Sequence, residues 1–270
     1  MNYVPKEDSQ NHNVPDQEGE LSSFLILFVA AAALCVVVFF SAAWLGEKTL
    51  LLFSPQQEIA SFASWGKSMG EPWPEGKKIL EKLIGTESQN YTMIVLQQDQ
   101  PNAFAFPGRV LGVTCGLLQG LESENGLAFV FGHELGHFAH RDHLRGLGRS
   151  LGLGAAMLLL GFTTERGFAQ LGQQILSRSF SRDQESAADA HAMELIKKVY
   201  GGLQGATELF DLIQKTQTDS VLSGGRWERF LSTHPDPESR AKVIQGAGTK
   251  TSEVLPLSEE IRAQCKKSNH

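Results

Sequence analysis

His133-Glu134-Leu135-Gly136-His137 constrains this chain more than any other stretch, because its chemistry works only on a helix. Residues four apart on a helix share a face, separated by about 40° of rotation. Two imidazoles so placed can grip one metal ion from one side. The carboxylate between them can reach a water on that ion without ligating it. The flanking pattern is helical: Leu127, Val130, Phe131, Leu135 and Phe138 form an apolar face, with the two histidines to its side. Ser123 is placed to cap the N-terminus, with Glu124 in the first turn, where the helix dipole favours an acid. Two histidines on a surface helix would give the same five letters. The metal reading therefore needs a third ligand and groups that orient the imidazoles.

Two residues compete for the third position. His143 ends a stretch from His133 that nearly spells HExxHxxGxxH, the metzincin signature. That signature breaks its helix with a glycine at the eighth position; here the residue is His140, to which left-handed backbone is less open. In an unbroken helix His143 lies about 15 Å along the axis from His133, too far for one ion. No downstream methionine sits in an obvious turn, Met193 falling inside a helical run. Glu185 is the other candidate. It begins an ExxxD pattern with Asp189 in a helical segment, the gluzincin arrangement. Glu185 would ligate zinc, and Asp189 one turn later would accept the free ring N–H of a zinc histidine. A pair of acids four apart is ordinarily a solvated face. Ala187, Ala188 and Ala190, however, suit close packing of one helix on another, and they favour Glu185.

Four blocks, in order, resemble a family of membrane-associated zinc metalloproteases. It includes the HtpX heat-shock protease, the CAAX prenyl endopeptidase and the mitochondrial Oma-type proteases. Asn102-Ala103-Phe104-Ala105-Phe106-Pro107-Gly108 is similar to the family's NAFxxPG strand and turn, and Phe131 to His137 to its zinc helix. Ser181-Arg182 with Glu185 and Asp189 resembles its SRxxExxAD block, and Thr233-His234-Pro235 with Arg240 its THPxxxxR block. The resemblance covers residues 90–245 or so. It implies a gluzincin-type domain with one zinc per chain on His133, His137 and Glu185, and Glu134 as the catalytic base. His234 would assist at the developing oxyanion, while Asp189 and Arg240 orient their neighbours. Asn102, Ala103 and Phe104 would lie on a strand that binds an extended peptide substrate. The resemblance fits single-anchor Oma-like members best. The short insertion between the zinc helix and Glu185 departs from the multi-span subfamilies. What the family implies for function is protein hydrolysis in membrane or envelope quality control.

The rest of the chain divides by composition. Residues 1–20 carry Lys6 against Glu7, Asp8, Asp16, Glu18 and Glu20, and read as a disordered acidic tail. Leu21 to Leu45 contains no charge and, as a helix, spans about 37 Å, more than the hydrocarbon of a bilayer. A cleaved signal is the rival, since Ser41-Ala42-Ala43 has small residues. The run is long for a signal, however, and the residues before it are acidic, so a single-pass membrane anchor is expected. A second uncharged run, Ser150 to Thr164, is short and glycine-rich; a buried or membrane-touching helix is expected there. Residues 46–90 read as a helical juxtamembrane segment broken at Pro72 and Pro74, and residues 91–270 as the zinc domain. Within it, a strand is expected over 91–97 and a hairpin from 102–106 and 109–114 around Pro107-Gly108. Helices are expected near 123–143, 147–160, 165–178, 182–199 and 203–216, with short ones from Glu238 and Ser258. The class is α+β with helices dominant and a small sheet.

Charge and cysteine usage bound the partners. The net charge is −6, and no basic patch suggests nucleic acid. Cys115 and Cys265 could pair outside the cytoplasm, but unpaired, buried roles are the default expectation. Lys48 and Lys67 against Lys6 weakly favour a cytoplasmic domain, whereas the single-anchor resemblance points to an extracytoplasmic one, on a bacterial inner membrane or its equivalent. The extracytoplasmic side is the expectation. A membrane-tethered, chaperone-like protein with a silent structural zinc is the non-enzymatic alternative. Structural zinc is closed by four protein ligands, whereas three are found here beside a base, and that favours an enzyme.

Overall fold

A computed structural model of the chain describes residues 17–159, 179–218, 228–248 and 252–265. The apolar run lies in one long helix, α1 (Gln17–Leu51), of which Leu21–Leu51 is long and apolar enough to cross a membrane. Its last turn enters the domain, where Leu50 is buried with Leu144 and Leu147. Then follow α2 (Pro55–Lys67), opened by a Ser54–Gln57 capping box, β1 (Glu71–Pro72) and α3 (Pro74–Ile84). A 3-10 turn over Gly85–Asn90 leads to β2 (Thr92–Leu96), β3 (Ala103–Phe106) and β4 (Val110–Thr114). The rest is helical: α4 (Cys115–Gly120), α5 (Glu124–Ala139), α6 (Asp142–Leu159), α7 (Arg182–Tyr200) and α8 (Glu208–Thr218). Last come α9 (Glu228–Thr233), α10 (Pro237–Ala247) and α11 (Glu259–Arg262).

The hairpin forms where expected. Gly108 has φ +89° in its turn, and a Cβ there would meet the Ala63 backbone nitrogen at 2.4 Å, so glycine is required on both counts. The strand expected over 91–97 forms as β2. It pairs parallel to β4, giving the order β1-β2-β4-β3, with β3 at one edge of this sheet and against α5. Glu71–Pro72, expected as a helix break, forms a short antiparallel strand on the other edge. Trp73, Ile79 and Leu80 from α3 and its N-cap, Leu111 and Val113 from β4, and Leu127 and Phe131 from α5 share one buried core.

Three other expectations change. The helix expected over 123–143 is two helices, because Arg141 adopts φ +58° and turns the chain between α5 and α6. α6 then runs unbroken through the position where a second helix was expected to begin at 147. Cys115 and Cys265 are not unpaired: they form a disulfide across 150 residues of sequence, with Cα atoms 5.4 Å apart. The tail after α11 returns over the sheet, where the Gln97 side chain donates to the Gln264 carbonyl at 2.8 Å, and that return brings the thiols together. The helix expected at 165–178 and residues 1–16 of the acidic tail lie outside the described residues, while residues 17–20 begin α1.

The placement of α7 on α5 rests on small residues. A Cβ on Gly132 would lie 2.9 Å from the Ala192 Cα, and one on Gly136 would lie 2.7 Å from the Ala188 Cα. The two helix backbones thus touch along glycines and alanines each four residues apart. Ala188 serves as expected, but Ala190 is exposed and Ala192 takes its place in the seam. Gly136→Ala sets two effects against each other. Better helix propensity stabilises by up to about 1 kcal/mol, while overpacking against a rigid backbone costs about 1–3 kcal/mol. The clash wins, and the helices part. We expect a lower urea midpoint and reduced bound zinc, measured by denaturation and metal analysis of the purified variant.

Candidate metal centre

α5 begins at Ser123, whose hydroxyl accepts from the Gly126 N–H, and it presents His133 and His137 on the side facing α7. α7 begins at Ser181 in a capping box with Gln184, which fixes where Glu185 and Asp189 fall along the seam. All four side chains are buried, together with Glu134, His234 and Arg240.

Each imidazole is oriented by a carboxylate. His133 Nδ1 lies 2.8 Å from Asp189 Oδ1, and His137 Nδ1 lies 3.0 Å from Asp142 Oδ2. With each Nδ1–H donated in this way, both Nε2 lone pairs point to a common centre. The Nε2 atoms are 3.1 Å apart, and Glu185 brings Oε1 to 3.4 Å from His137 Nε2 and Oε2 to 3.5 Å from His133 Nε2. Ligand atoms about 2.0–2.1 Å from a tetrahedral zinc are about 3.3–3.4 Å from one another. The observed triangle has that size, and its donors, two imidazole nitrogens and a carboxylate, are zinc's. Glu134 adds a buried carboxylate whose Oε2 has no hydrogen-bond partner in the protein. These residues fit zinc.

Arg240 braces the acids. Its Nε donates to Asp189 Oδ2 and its Nη2 to Asp189 Oδ1, both at 2.7 Å, while Nη1 pairs with Glu185 Oε2. This fork holds both carboxylates of α7 in one plane of contact. His234, at the end of α9, sets Nδ1 3.1 Å from Glu185 Oε1 and Nε2 3.8 Å from Glu134 Oε1. His133, His137, Glu185 and His234 together form a group whose ligand atoms all lie within 4.8 Å.

The electrostatics follow from burial and pairing. Burial opposes ionisation of Asp189, yet hydrogen bonds from Arg240 and His133 hold its carboxyl below the usual range. Glu185 is likewise resisted by burial but held well below that range by His234, His133 and His137. Burial also opposes the charged form of His137, but the carboxylates of Asp142 and Glu185 outweigh it and push this imidazole up to about 9. At His133 burial prevails, and its pKa is lowered.

His143 is not part of this group. It is buried, but its Nε2 lies 2.9 Å from Glu58 Oε1 on α2, and the same carboxylate oxygen accepts from the Gly108 N–H at 3.0 Å. The chain does break near the point a metzincin signature requires, yet the break turns His143 toward α2. Asn102, Ala103 and Phe104 lie on and just before the edge strand β3.

Two contributors have no signal in the motif. Asp142 lies past the helix break, where spacing says nothing about reach, and it also accepts from the Gln184 side chain at 2.5 Å. Phe180 stacks on the His137 ring with centroids 3.8 Å apart, closing one side of the site. Arg240, the prolines at 235 and 237 and His234 before them are legible only as a block.

Comparison with known proteins agrees with this geometry. A profile described as Peptidase family M48 matches residues 75–247. Metalloprotease YcaL of Escherichia coli is 29% identical over 190 residues, which cover 68% of this chain and 71% of that protein. Mitochondrial metalloendopeptidase OMA1 of Arabidopsis thaliana is 27% identical over 178 residues, 66% of this chain and 35% of that protein. A protease HtpX homolog of Salinibacter ruber is 30% identical over 187 residues, 57% of this chain and 67% of that protein. The chain thus spans about a third of its plant relative's length.

Glu185 and His143 can be separated by metal content. Glu185→Ala removes one vertex of the donor triangle and should lose most of the zinc, whereas His143→Ala should keep about one ion per chain. Metal analysis of the two variants reads this directly, and the reverse pattern would restore the metzincin assignment.

Proposed function

This chain belongs to peptidase family M48 and is a zinc metalloendopeptidase; we propose that His133, His137 and Glu185 hold its zinc while Glu134 and His234 act on the peptide. The observation that carries this assignment is the triangle of donor atoms beside an unpartnered Glu134 carboxylate oxygen. Zinc, when bound, lowers the pKa of a water and polarises the scissile carbonyl. Glu134 takes the proton of the attacking water and delivers it to the leaving amine. His234, whose Nδ1 lies beside Glu185 and whose Nε2 faces Glu134, donates to the carbonyl oxygen as that oxygen gains charge. Asp189, Asp142 and Arg240 position the ligands and touch no substrate.

The peptide is held by backbone pairing on β3. Phe104 pairs with Gly112 and Phe106 with Val110, and the Thr114 N–H bonds the Asn102 carbonyl at 3.0 Å. By the alternation of an antiparallel ladder, the N–H groups of Ala103 and Ala105 point away from β4, toward an added strand. Pairing of this kind accepts extended chains with little regard to sequence, which suits hydrolysis of misfolded membrane or envelope proteins. As a division of the chain we propose an acidic tail (1–20), an anchor (21–45), a juxtamembrane segment (46–90) that contributes to the core, and the catalytic domain (91–270). The Cys115–Cys265 disulfide supports placing that domain outside the cytoplasm, since such bonds persist in oxidising compartments.

One observation favours a second reading. His234 Nδ1 lies 3.3 Å from His133 Nε2, itself a ligand spacing, so His234 is placed to close the zinc site as a fourth ligand. A closed, silent site would lose zinc in His234→Ala and show no hydrolysis in wild type. An open one would keep zinc in that variant and lose turnover.

Glu134→Gln should keep zinc and fold while losing peptide hydrolysis by at least about a hundredfold, because an amide cannot take the water's proton. Residual turnover within tenfold of wild type on a quenched peptide would remove Glu134 from the base role. Ala103→Pro deletes an outward N–H at an edge position where proline is tolerated. It should raise KM severalfold or more without loss of metal, and unchanged kinetics would exclude β3 as the platform. Alkaline phosphatase fused after His270 should be active, and a silent fusion with a fluorescent cytoplasmic reporter at the same junction would place the domain inside.

A further inference from the structure

We propose that the C-terminal half of α6, Ser150 to Leu159, is embedded in the bilayer beside α1, so that the catalytic domain meets the membrane through two helices. The proposal rests on reading α1 as a membrane helix.

Packing sets the depth. α6 lies antiparallel on α1: a Cβ on Gly148 would lie 2.5 Å from the Gly46 carbonyl oxygen, and one on Gly152 would lie 2.0 Å from the Ala42 carbonyl oxygen. Glycines four apart on α6 thus meet Ala42 and Gly46, also four apart on α1, and the backbones touch. Close approach through small residues is how helices associate where lipid offers no hydrophobic drive. Each further residue of α6 runs back along α1 toward its N-terminus. From Gly152 to Leu159 this is about 10 Å, a third of the hydrocarbon thickness.

Charge marks the surface at one height on both helices. Glu47 of α1 pairs with Arg145, at 3.1 Å, and with Arg149 of α6. Past this cluster α6 carries no charge from Ser150 to Leu159, and α1 carries none from Leu21 to Leu45. The two helices change from ionic to apolar together.

Exposure supplies the remaining observation. Gly152 and Ala156 are buried on the α1 side, while Leu153, Met157 and Leu158 project outward with 39%, 44% and 61% of their surface exposed. α1 at the same depth is equally bare, Val37 and Leu34 being 60% and 64% exposed. A continuous apolar surface on two packed helices, bounded by one ionic belt, fits acyl chains. A second copy of the chain and water are the other possible occupants.

Site-directed spin labelling tests this in the full chain with Cys35→Ala, reconstituted into phosphatidylcholine–phosphatidylglycerol vesicles without reductant, so that the native disulfide stays closed. Single cysteines replace Leu153, Leu158, Leu27 on α1 and Val243, which is 62% exposed on α10. Each variant is first checked for wild-type peptide hydrolysis. Oxygen concentrates in hydrocarbon, and a polar nickel chelate is excluded from it. We expect Leu158 and Leu27 labels to be rich in oxygen collisions, with nickel collisions about tenfold below Val243. Leu153 should be intermediate. A Leu158 label that matches Val243 while Leu27 reads as lipid would put α6 in water and overturn the proposal. A Leu158 label poor in both collision partners would show protein cover, hence a second copy, and also overturn it. A Leu27 label that matches Val243 would overturn the anchor reading itself, and the proposal with it.

Discussion

Four carboxylates, Glu134, Asp142, Glu185 and Asp189, are buried at the centre; Arg240 pairs with Glu185 and Asp189, while Asp142 turns to His137 and lies 3.9 Å from Arg145. Burying a carboxylate is costly unless a positive charge and hydrogen bonds accompany it. With neutral imidazoles this cluster keeps a surplus of negative charge, and the protein answers by raising the proton affinity of His137. A divalent cation satisfies the same surplus with better geometry, because the Nε2 lone pairs already converge. Arg240 cannot replace it. Its fork is spent on Asp189 and Glu185, and its one approach to an imidazole, Nη2 at 3.3 Å from His133 Nδ1, is to the ring nitrogen opposite the converging Nε2 atom. The fold around the centre can be understood as the means of keeping these charges together and dry.

The seam between α5 and α7 is what allows the charges to meet. Carboxylates on one helix reach imidazoles on another within hydrogen-bond distance only if the backbones approach closely. Gly132 and Gly136 against Ala188 and Ala192 permit that approach. Position along the seam comes from the capping box at Ser181, and lateral closure from Phe180 stacked on His137. The metal site and the helix packing are therefore one design. A methyl group added in the seam acts on zinc without touching a ligand.

How much of this was legible depends on how local the information is. His133, Glu134 and His137 share one helix, so spacing alone places them. Glu185 and Asp189 share another, and the ExxxD pattern with its alanines gives their relation to each other but not to the first helix. His234 and Arg240 entered only through resemblance, because a loop histidine before a proline carries no spacing rule. Ala188 was visible as a small residue. Gly132 and Gly136 stand in the sequence as motif letters, although their lack of a side chain is what admits α7. Asp142 was hidden by the chain break before it. The sequence offers Cys115 and Cys265 as a possible pair but not as a formed one, since they are joined only by the return of the tail across 150 residues. The parallel pairing of β2 with β4 has no local signal for the same reason: a hairpin is local, and a parallel ladder is not.

The corner at Arg141 joins these levels. A left-handed residue other than glycine costs about 1–2 kcal/mol, and nothing in the five-letter motif requires it. The Arg141 side chain donates to the carbonyls of Leu51 at 2.9 Å and Phe53 at 2.6 Å, at the end of α1. Charged hydrogen bonds of this kind each contribute about 1.5–3 kcal/mol, enough to offset the strained backbone. The corner therefore exists because α1 is there to receive it. It starts α6 at Asp142, which orients His137, and it turns His143 away to Glu58, which holds the β3–β4 turn through Gly108. One strained residue thus ties the end of the apolar helix, a zinc ligand and the turn of the edge strand into a single mechanical unit. A histidine at the spacing of a third ligand is spent on holding that unit together.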